Sequence, residues 1–143
     1  MCAFQYVASK QVLGWHVAAT MPEKLVTTAL QRVLLAQPFI PELIVHSDWG
    51  GQYCGNTYQA LLHQHGAVRS QSRRGDCYDN ALLGTIQSEI LWSRFKTEEL
   101  ERREWAVFAN LANAQASAAS YFDHYNQRLH SNIGYQFPYI VHQ

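Results

Sequence analysis

One aspartate, Asp48, lies where an acidic residue could take part in metal-dependent chemistry. It directly follows the range 43–47, which begins with a short apolar run, and two glycines come shortly after it. Ligands of open α/β sheets bind at the carboxyl ends of strands, where the loops form a crevice. A carboxylate there could hold Mg²⁺, which prefers hard oxygen ligands. An aspartate after a strand is also a common turn residue or helix cap, so its position alone leaves these roles open.

Three arginines, Arg69, Arg73 and Arg74, form a basic cluster, and no acidic residue lies between Arg69 and Asp76. Arginine neutralises nucleic-acid phosphates and releases their counterions, so the cluster could contact DNA. The whole chain has 11 basic and 11 acidic residues and a formal net charge of zero, whereas DNA-binding proteins usually carry a basic surplus. Global charge therefore does not indicate nucleic-acid binding, and a solvated basic loop is the simpler interpretation of the cluster.

Cysteine and histidine spacing does not indicate a metal site. The three cysteines, Cys2, Cys54 and Cys77, are odd in number, widely separated and without CxxC spacing, so we expect reduced thiols. His63 and His65 match no zinc spacing with these cysteines, and we expect them on the polar surface.

The composition predicts one globular domain over residues 1–143. Hydrophobic residues make up 48% of the chain and charged residues 15%, which is typical of folded rather than disordered proteins. The sequence contains neither an apolar run long enough for a membrane span nor an N-terminal signal pattern. We therefore expect a cytoplasmic protein without a membrane partner.

Strand and helix signals alternate between residues 11 and 95, and this order predicts the α/β class. The expected strands cover residues 2–7, 11–19, 43–47 and 67–70. The expected helices run from about Pro22 (capped by Thr20) to Ala36, from Asn56 to His65, from Asp79 or Asn80 to about Phe95, and from Thr97 to Tyr125. The last of these forms a helical C-terminal part, whose aromatic residues we expect in a core or an interface, and the tail from Asn126 is expected to be irregular.

Several short blocks stand together along the chain. They are VLGW at 12–15, HSDWGGQY at 46–53, SRRGDCYDNA at 72–81, TIQSE at 85–89, YNQRLHS at 125–131, and Gly134-Tyr135 with Pro138. Together they resemble the signatures of bacterial insertion-sequence transposases of the retroviral-integrase type, the DDE superfamily. The resemblance covers essentially the whole chain.

This resemblance implies a ribonuclease-H-like integrase core that carries out phosphoryl transfer on DNA. In that family two aspartates and one glutamate hold a pair of Mg²⁺ ions, which stabilise the attacking and leaving oxygens. Water first attacks the phosphodiester at an element end, and the freed 3′-hydroxyl then attacks target DNA. The resemblance makes Asp48 a catalytic residue and metal ligand, Mg²⁺ the cofactor, and the DNA of element ends and target the partner. It also implies a bacterial, nucleoid-associated location.

The chain departs from the family pattern at the two other acidic positions. Residues 1–47 contain no aspartate, so the first catalytic aspartate is absent. The strand that carries it, which is central and lies between the partners formed by 2–7 and 43–47, is expected to be missing, which would leave the fold incomplete. The family's spacing from Asp48 places the glutamate at position 84, which is Gly84. Helical geometry places Glu89 away from Asp48, so Glu89 is not a natural replacement.

Two functions from different classes stay open. The first is a transposase core associated with DNA transposition whose catalysis is defective, which leaves open whether this chain is an enzyme. The second is a non-catalytic DNA-binding or protein-interaction remnant that assembles with itself or with an intact transposase. In the second, the arginine cluster would contact DNA and the helix at 97–125 would contact protein. Asp76 and Asp79 are expected to serve as loop hydrogen-bonding and helix-capping residues. A chain too damaged to fold stably is a third interpretation.

Overall fold

The computed structural model describes residues 1–20, 23–36, 42–47, 50–71, 85–88, 98 and 108–138. In these ranges the chain forms one five-stranded sheet with helices packed on both faces. The strands are β1 (Cys2–Tyr6), β2 (Val12–His16), β3 (Ile44–Ser47), β4 (Val68–Gln71) and β5 (Thr85–Ser88). The helices are α1 (Glu23–Ala36), α2 (Asn56–Gln64) and α3 (Leu111–Gln127), with 3₁₀ helices at Gly51–Tyr53 and Ser131–Ile133. The predicted α/β class is confirmed.

The strand order across the sheet is β2-β1-β5-β3-β4. The pair β1–β2 is an antiparallel hairpin, and β1 is also antiparallel to β5. Strand β3 lies between β5 and β4 and is parallel to both. The carboxyl ends of β3, β4 and β5 therefore lie at one edge of the sheet, and the turn between β1 and β2 lies at the opposite edge.

Helix α1 covers the first face of the sheet with an apolar stripe. Its residues Leu25, Ala29, Leu30, Val33 and Leu34 are all buried, and they join a core with Phe4 and Val45. The 3.6-residue helical period places these positions on one side of the helix. Helix α2 contributes Tyr58 and Leu62 to the same core.

Helix α3 covers the second face of the sheet. Its buried residues Tyr121, Phe122 and Tyr125 pack with Ala3 and Val12 in a separate core. Successive residues of a strand point to opposite faces, so β1 supplies Phe4 to the first core and Ala3 to the second. The expectation that the C-terminal aromatic residues lie in a core is confirmed for these three.

The helix expected from Asp79 or Asn80 to Phe95 is wrong at residues 85–88, which form β5; the rest of that range lies outside the described residues. The backbone of this segment pairs with β1 on one side and with β3 on the other, and these ladder bonds replace helical ones. The absence of the family's first strand, expected between segments 2–7 and 43–47, stays a prediction, but the described sheet is not open at that position. Segment 85–88 occupies that central position.

The helix expected from Thr97 to Tyr125 is observed as α3, which runs from Leu111 to Gln127, while residues 97 and 99–107 of the expected helix lie outside the described residues. Residues 108–110 precede α3 and are not helical, and Asn110 is the N-cap, with extended φ and ψ of −161° and 177°. Its side-chain oxygen accepts a hydrogen bond from the Asn113 amide at 2.8 Å. Asparagine favours this position because its side chain satisfies a backbone N–H that has no helical partner.

The segment from α2 to β4 follows its predicted order. The expected helix at Asn56–His65 is observed as Asn56–Gln64, and Gly66 then adopts a left-handed φ of +66° that ends it. Strand β4 begins at Val68, one residue after the expected start.

Candidate functional site at the carboxyl ends of β3 and β4

Two of the sequence blocks leave the sheet side by side. Strands β3 and β4 are paired in parallel from Ile44 opposite Val68 to Ser47 opposite Gln71. Asp48 is the next residue after Ser47, and the arginine-containing block begins directly after Gln71. Asp48 itself and residues 72–84 lie outside the described residues. The pairing of β3 with β4 nevertheless fixes the points from which both blocks begin.

Ser47 anchors the chain immediately before Asp48. Its side chain is 1% exposed and lies on the core side of β3, near the fully buried Tyr58 of α2. Burial raises the pKa of the Tyr58 phenol, the Cys2 thiol adds to that rise, and the Ser47 hydroxyl opposes it. The last residue of the strand is therefore held inside the core.

Tyr53 anchors the chain after Asp48. This residue ends the 3₁₀ helix at Gly51–Tyr53 and is 3% exposed. Its hydroxyl lies 3.9 Å from the Cys2 Sγ, and its ring meets the Tyr58 ring edge-on with centroids 5.6 Å apart. Asp48 thus belongs to a short connection between two buried residues, Ser47 and Tyr53.

The amino end of α2 is stabilised by a carboxylate from another element. Glu23, in the first turn of α1, accepts a hydrogen bond from the Tyr58 amide at 3.0 Å. A Cβ placed on Gly55 would lie 2.0 Å from the same carboxylate. The negative charge compensates the unpaired N–H groups and the dipole at a helix start. The contact ties α1 to the segment that follows the site, and the sequence patterns did not predict it.

His46 connects β3 to β4 through its side chain. Its Nδ1 lies 2.9 Å from the Ser70 Oγ, and the two residues are register partners in the parallel ladder. Both side chains are half-buried. The side chain of His46 therefore contacts a hydroxyl of the neighbouring strand.

Arg69 lies at the same end of the sheet with its guanidinium exposed. Its Nη2 donates to the Gln71 Oε1 and lies 3.7 Å from the Cys54 Sγ. The Gln71 amide nitrogen is in turn 3.8 Å from the same sulfur. A groove of about 510 Å³, lined by Arg69, Gln59, Ala60, Leu62, His63 and Ala67, runs between β4 and α2. One of the three arginines expected to contact DNA is therefore exposed beside the strand ends. Arg73 and Arg74 lie outside the described residues.

Cys54 and Gln71 were not singled out as neighbours of the arginine cluster. Their contacts with Arg69 depend on the α2 segment folding back against β4, which no local pattern encodes. Cys54 and Cys2 are free thiols in the described part of the chain, as expected. The side chains of His63 and His65 are exposed, as expected for polar surface.

The described residues do not contain a metal-binding cluster. Within the ranges given above, no three His, Cys, Asp or Glu side chains lie close enough to hold an ion. The residues that the sequence nominated for or against such a role, Asp48, Asp76, Asp79 and Glu89, all lie outside these ranges. The described residues therefore supply no ligand set for Mg²⁺, and we derive no chemical step through a metal.

The block at 125–131 has a structural role in the described chain. Tyr125 is buried, and its carbonyl lies 2.9 Å from the His130 Nε2. The Arg128 guanidinium forms a two-point ion pair with Glu98, at 2.7 and 3.2 Å, and lies over the Tyr125 ring at 5.0 Å. The Glu98 carboxylate is the largest cause of the raised pKa of Arg128. The block therefore fastens the end of α3 and is not part of the strand-end site.

Comparison with known proteins agrees with this architecture. Residues 2–77 match the family model described as an integrase core domain. The chain is 34% identical over 134 residues to the transposase for insertion sequence element IS904 of Lactococcus lactis, which covers 92% of this chain and 50% of the relative. It is 44% identical over 75 residues to the transposase InsF for insertion sequence IS3A of Escherichia coli, which covers 52% of this chain and 26% of the relative. The chain thus spans half or less of the length of these relatives.

The mixed sheet with helices on both faces is consistent with a ribonuclease-H-like integrase core. In the described part of the chain, no helix has both the length and the apolar character needed to cross a bilayer.

Proposed function

Because the chain belongs to the integrase core family, we propose that it binds DNA at the carboxyl ends of β3 and β4 but does not carry out strand transfer. The substrate is double-stranded DNA of the kind that insertion-sequence transposases act on. Asp48 is proposed as a remaining acidic residue of the site, and Arg69, Arg73 and Arg74 as its DNA-contacting residues.

The pairing of Ser47 with Gln71 is the observation that carries this proposal. It makes the acidic block and the basic block begin next to each other, at the edge where α/β proteins bind ligands. The exposed Arg69 guanidinium is at the same edge, and Gln71 and Cys54 orient it. A phosphate approaching the strand ends would meet this positive charge first.

The charge balance predicts modest affinity with a clear dependence on salt. The chain as a whole is neutral, so binding depends on the local basic cluster and not on a general attraction. Each phosphate that an arginine neutralises contributes close to one to the slope of log affinity against log salt. Three arginines therefore predict a slope of about −3 at most.

The proposed loss of strand-transfer activity is inferred from the acidic residues of the chain. Two-metal phosphoryl transfer needs several carboxylates to hold and position its ions. Glycine occupies position 84, where the family's glutamate is expected. Without that glutamate, one of the carboxylates that position the ions is missing from its expected place.

DNA binding is tested by fluorescence anisotropy with a labelled duplex of generic sequence. We expect Arg69→Ala to weaken binding and to reduce the magnitude of the salt slope by about one. Lys10→Gln is the matched control, because Lys10 lies in the β1–β2 turn at the opposite edge of the sheet. Equal losses in the two variants, or none in Arg69→Ala, would contradict the assigned surface.

The absence of strand transfer is tested with the same duplex in Mg²⁺ and in Mn²⁺. We expect no cleavage by the wild-type chain or by Asp48→Asn, while both keep the same affinity for the duplex within about threefold. Cleavage by the wild-type chain that disappears in Asp48→Asn would show that the site is active and that another acid completes it. Glu89→Gln would then identify that acid.

A further inference from the structure

The carboxyl end of β2 lies at the same edge of the sheet as the candidate site. Strand β1 is antiparallel to both β2 and β5, and β5 is parallel to β3, so β2 runs in the same direction as β3 and β4. One row of register partners crosses the sheet at Gln5, Gln87, His46 and Ser70. His16, the last residue of β2, pairs with Cys2, which lies beyond this row in the direction of the site.

Positively charged groups surround His16 on the side of the sheet that α1 covers. Register partners of an antiparallel pair share a face, so His16 lies on the same side as Cys2, which belongs to the core under α1. Burial lowers the pKa of the His16 imidazole, and the positive charges of Arg32, the amino terminus and Lys24 lower it further. These surroundings disfavour a proton on His16 and favour a bound anion.

Lys24 and Arg32 present their charges to solvent. Both side chains are exposed, and Lys24 lies in the first turn of α1. The Arg32 guanidinium lies 5.3 Å from the centroid of the Trp15 ring, and its Nη1 donates to the Trp15 carbonyl at 2.6 Å. These contacts hold the guanidinium beside the end of β2, and the carbonyl takes only one of its five N–H donors. We call His16, Lys24 and Arg32 the β2 patch.

The carboxylate next to the β2 patch in sequence is directed toward another element. Glu23 precedes Lys24 and accepts a hydrogen bond from the Tyr58 amide of α2 at 3.0 Å. In the strand order β2-β1-β5-β3-β4, the β2 patch and Arg69 belong to opposite ends of the carboxyl edge. Four strand spacings of about 4.8 Å separate β2 from β4, which is about 19 Å in total. Two exposed basic groups so far apart on one edge fit an extended polyanion better than a small anion.

We propose that the β2 patch is a second contact for the DNA backbone, so that one duplex lies along the carboxyl edge of the sheet from β4 to β2. This inference rests on the proposed DNA binding and extends its footprint. Phosphates of one strand follow each other about every 3.4 Å along the helix axis, so the two basic groups span about six base pairs. Lys24 and Arg32 add two cations to the three arginines, and the greatest expected magnitude of the salt slope rises from about three to about five.

The salt dependence of DNA binding tests this inference. The probe is a labelled duplex of about twelve base pairs, which is long enough to reach both basic groups. We expect Lys24→Gln to weaken binding about five- to tenfold near 0.1 M salt and to reduce the magnitude of the salt slope by about one. Lys10→Gln removes the same charge at the opposite edge of the sheet and should change neither value. Combined with Arg69→Ala, the effect of Lys24→Gln should add to that of the arginine, because the two sites are well separated.

These variants separate the failure of this inference from the failure of the proposed function. Weaker binding by Arg69→Ala, with no change in Lys24→Gln, would overturn the role of the β2 patch and leave the proposed DNA binding in place. Equal losses in Lys24→Gln and Lys10→Gln would also overturn it, because net charge would then cause the loss. If the folded wild-type chain did not bind the duplex, both proposals would be wrong.

The protonation of His16 provides a second measurement that does not depend on affinity. A phosphate bound near Lys24 and Arg32 offsets their positive charges, so saturation with the duplex should raise the pKa of His16. NMR titration of the imidazole in the free and bound chain measures this change. His124 is the internal control, because it is exposed on α3 close to Asn126, which contacts Val12 at the start of β2. A His16 pKa that is the same with and without bound duplex would contradict a phosphate contact at the β2 patch.

Discussion

The side chain of Asn126 forms the two hydrogen bonds with the Val12 backbone that a neighbouring strand would otherwise form. Its side-chain oxygen accepts from the Val12 amide at 2.8 Å, and its side-chain nitrogen donates to the Val12 carbonyl at 3.0 Å. Strand β2 is at one end of the sheet order, so its outer backbone groups have no strand partner in the described sheet. An asparagine amide offers a donor and an acceptor side by side, and it therefore completes the pairing.

Asn126→Ala should lower the free energy of unfolding by about 1–3 kcal/mol, because it leaves a partly buried donor and acceptor without partners. Urea unfolding followed by far-UV circular dichroism measures this change. Asn113→Ala, on the exposed side of the same helix, is the matched control and should change stability by less than about 0.5 kcal/mol. Similar losses in both variants would mean that the bonds to Val12 are not the cause of the effect.

His16 makes stability depend on pH. Burial lowers its pKa below the ordinary value of 6.5, and the positive charges of Arg32, the amino terminus and Lys24 lower it further. The Nδ1 atom is buried without a hydrogen-bond partner among the described residues. The folded state therefore favours the neutral ring, whereas the unfolded chain takes up a proton near pH 6.5. This contribution to stability is complete above pH 6.5 and is lost as the pH falls through the lower, folded-state pKa.

His16→Gln should flatten the decrease in unfolding free energy between about pH 7 and about pH 5, since glutamine does not titrate. Urea midpoints measured across this range at constant ionic strength test it. Arg32→Gln should also flatten the decrease, although less, because it removes only one of the causes. An unchanged pH profile in His16→Gln would assign the acid sensitivity to other groups.

Helix α1 approaches β2 closely enough to require glycine at position 14. A Cβ on Gly14 would lie 2.7 Å from the Ala29 carbonyl oxygen, 2.7 Å from a Val33 methyl group and 2.9 Å from the Val33 amide nitrogen. Two of these atoms belong to the helix backbone, so the clash is relieved only if the whole element moves. The VLGW block therefore includes a residue required for helix-on-sheet packing.

Gly14→Ala should destabilise the fold by about 1–3 kcal/mol or more through this overlap. Gly51→Ala is the control, because a Cβ placed on Gly51 would meet no atom within 4 Å and its φ is not left-handed. Thermal unfolding of the two variants compares them directly. A small loss in Gly14→Ala would show that α1 shifts away from β2 at little cost.

Helices whose period and end are encoded by their own residues could be predicted from the sequence. Helices α1 and α2 were predicted to within a few residues, because the apolar period of α1 and the glycine that ends α2 are local properties of the sequence. Segment 85–88 was mispredicted because its local pattern is helical, while its pairing with β1 and β3 involves residues about eighty and forty positions away. The start of α3 was placed too early because Asn110 was not recognised as its cap.

The candidate site was predictable in part for the same reason. The apolar run before Asp48 placed it after a strand, and the described end of that strand at Ser47 agrees. The closeness of the acidic and basic blocks followed only from the parallel pairing of β3 with β4. The contact of the Glu23 carboxylate with the start of α2 and the Cys54–Arg69 contact join separate elements, so no residue spacing in the sequence predicted them.

The molecule as a whole contains two hydrophobic cores separated by one sheet. The core under α1 and α2 and the core under α3 share no residue, yet both are built on β1, whose successive residues alternate between them, and β2 contributes residues to both. Loss of either core exposes one face of strands that the other core needs. The two cores are therefore expected to unfold as one cooperative unit, despite the small size of each.

This expectation is tested by weakening each core separately. Val33→Ala on α1 and Phe122→Leu on α3 remove buried apolar volume from opposite faces of the sheet, and each should cost about 1–3 kcal/mol. Both variants should show a single urea transition, with coincident midpoints by far-UV circular dichroism and by tryptophan fluorescence. The double variant should lose the sum of the two costs to within about 0.5 kcal/mol, since the side chains do not share partners. Midpoints that separate between the probes in only one variant would show that its core unfolds alone.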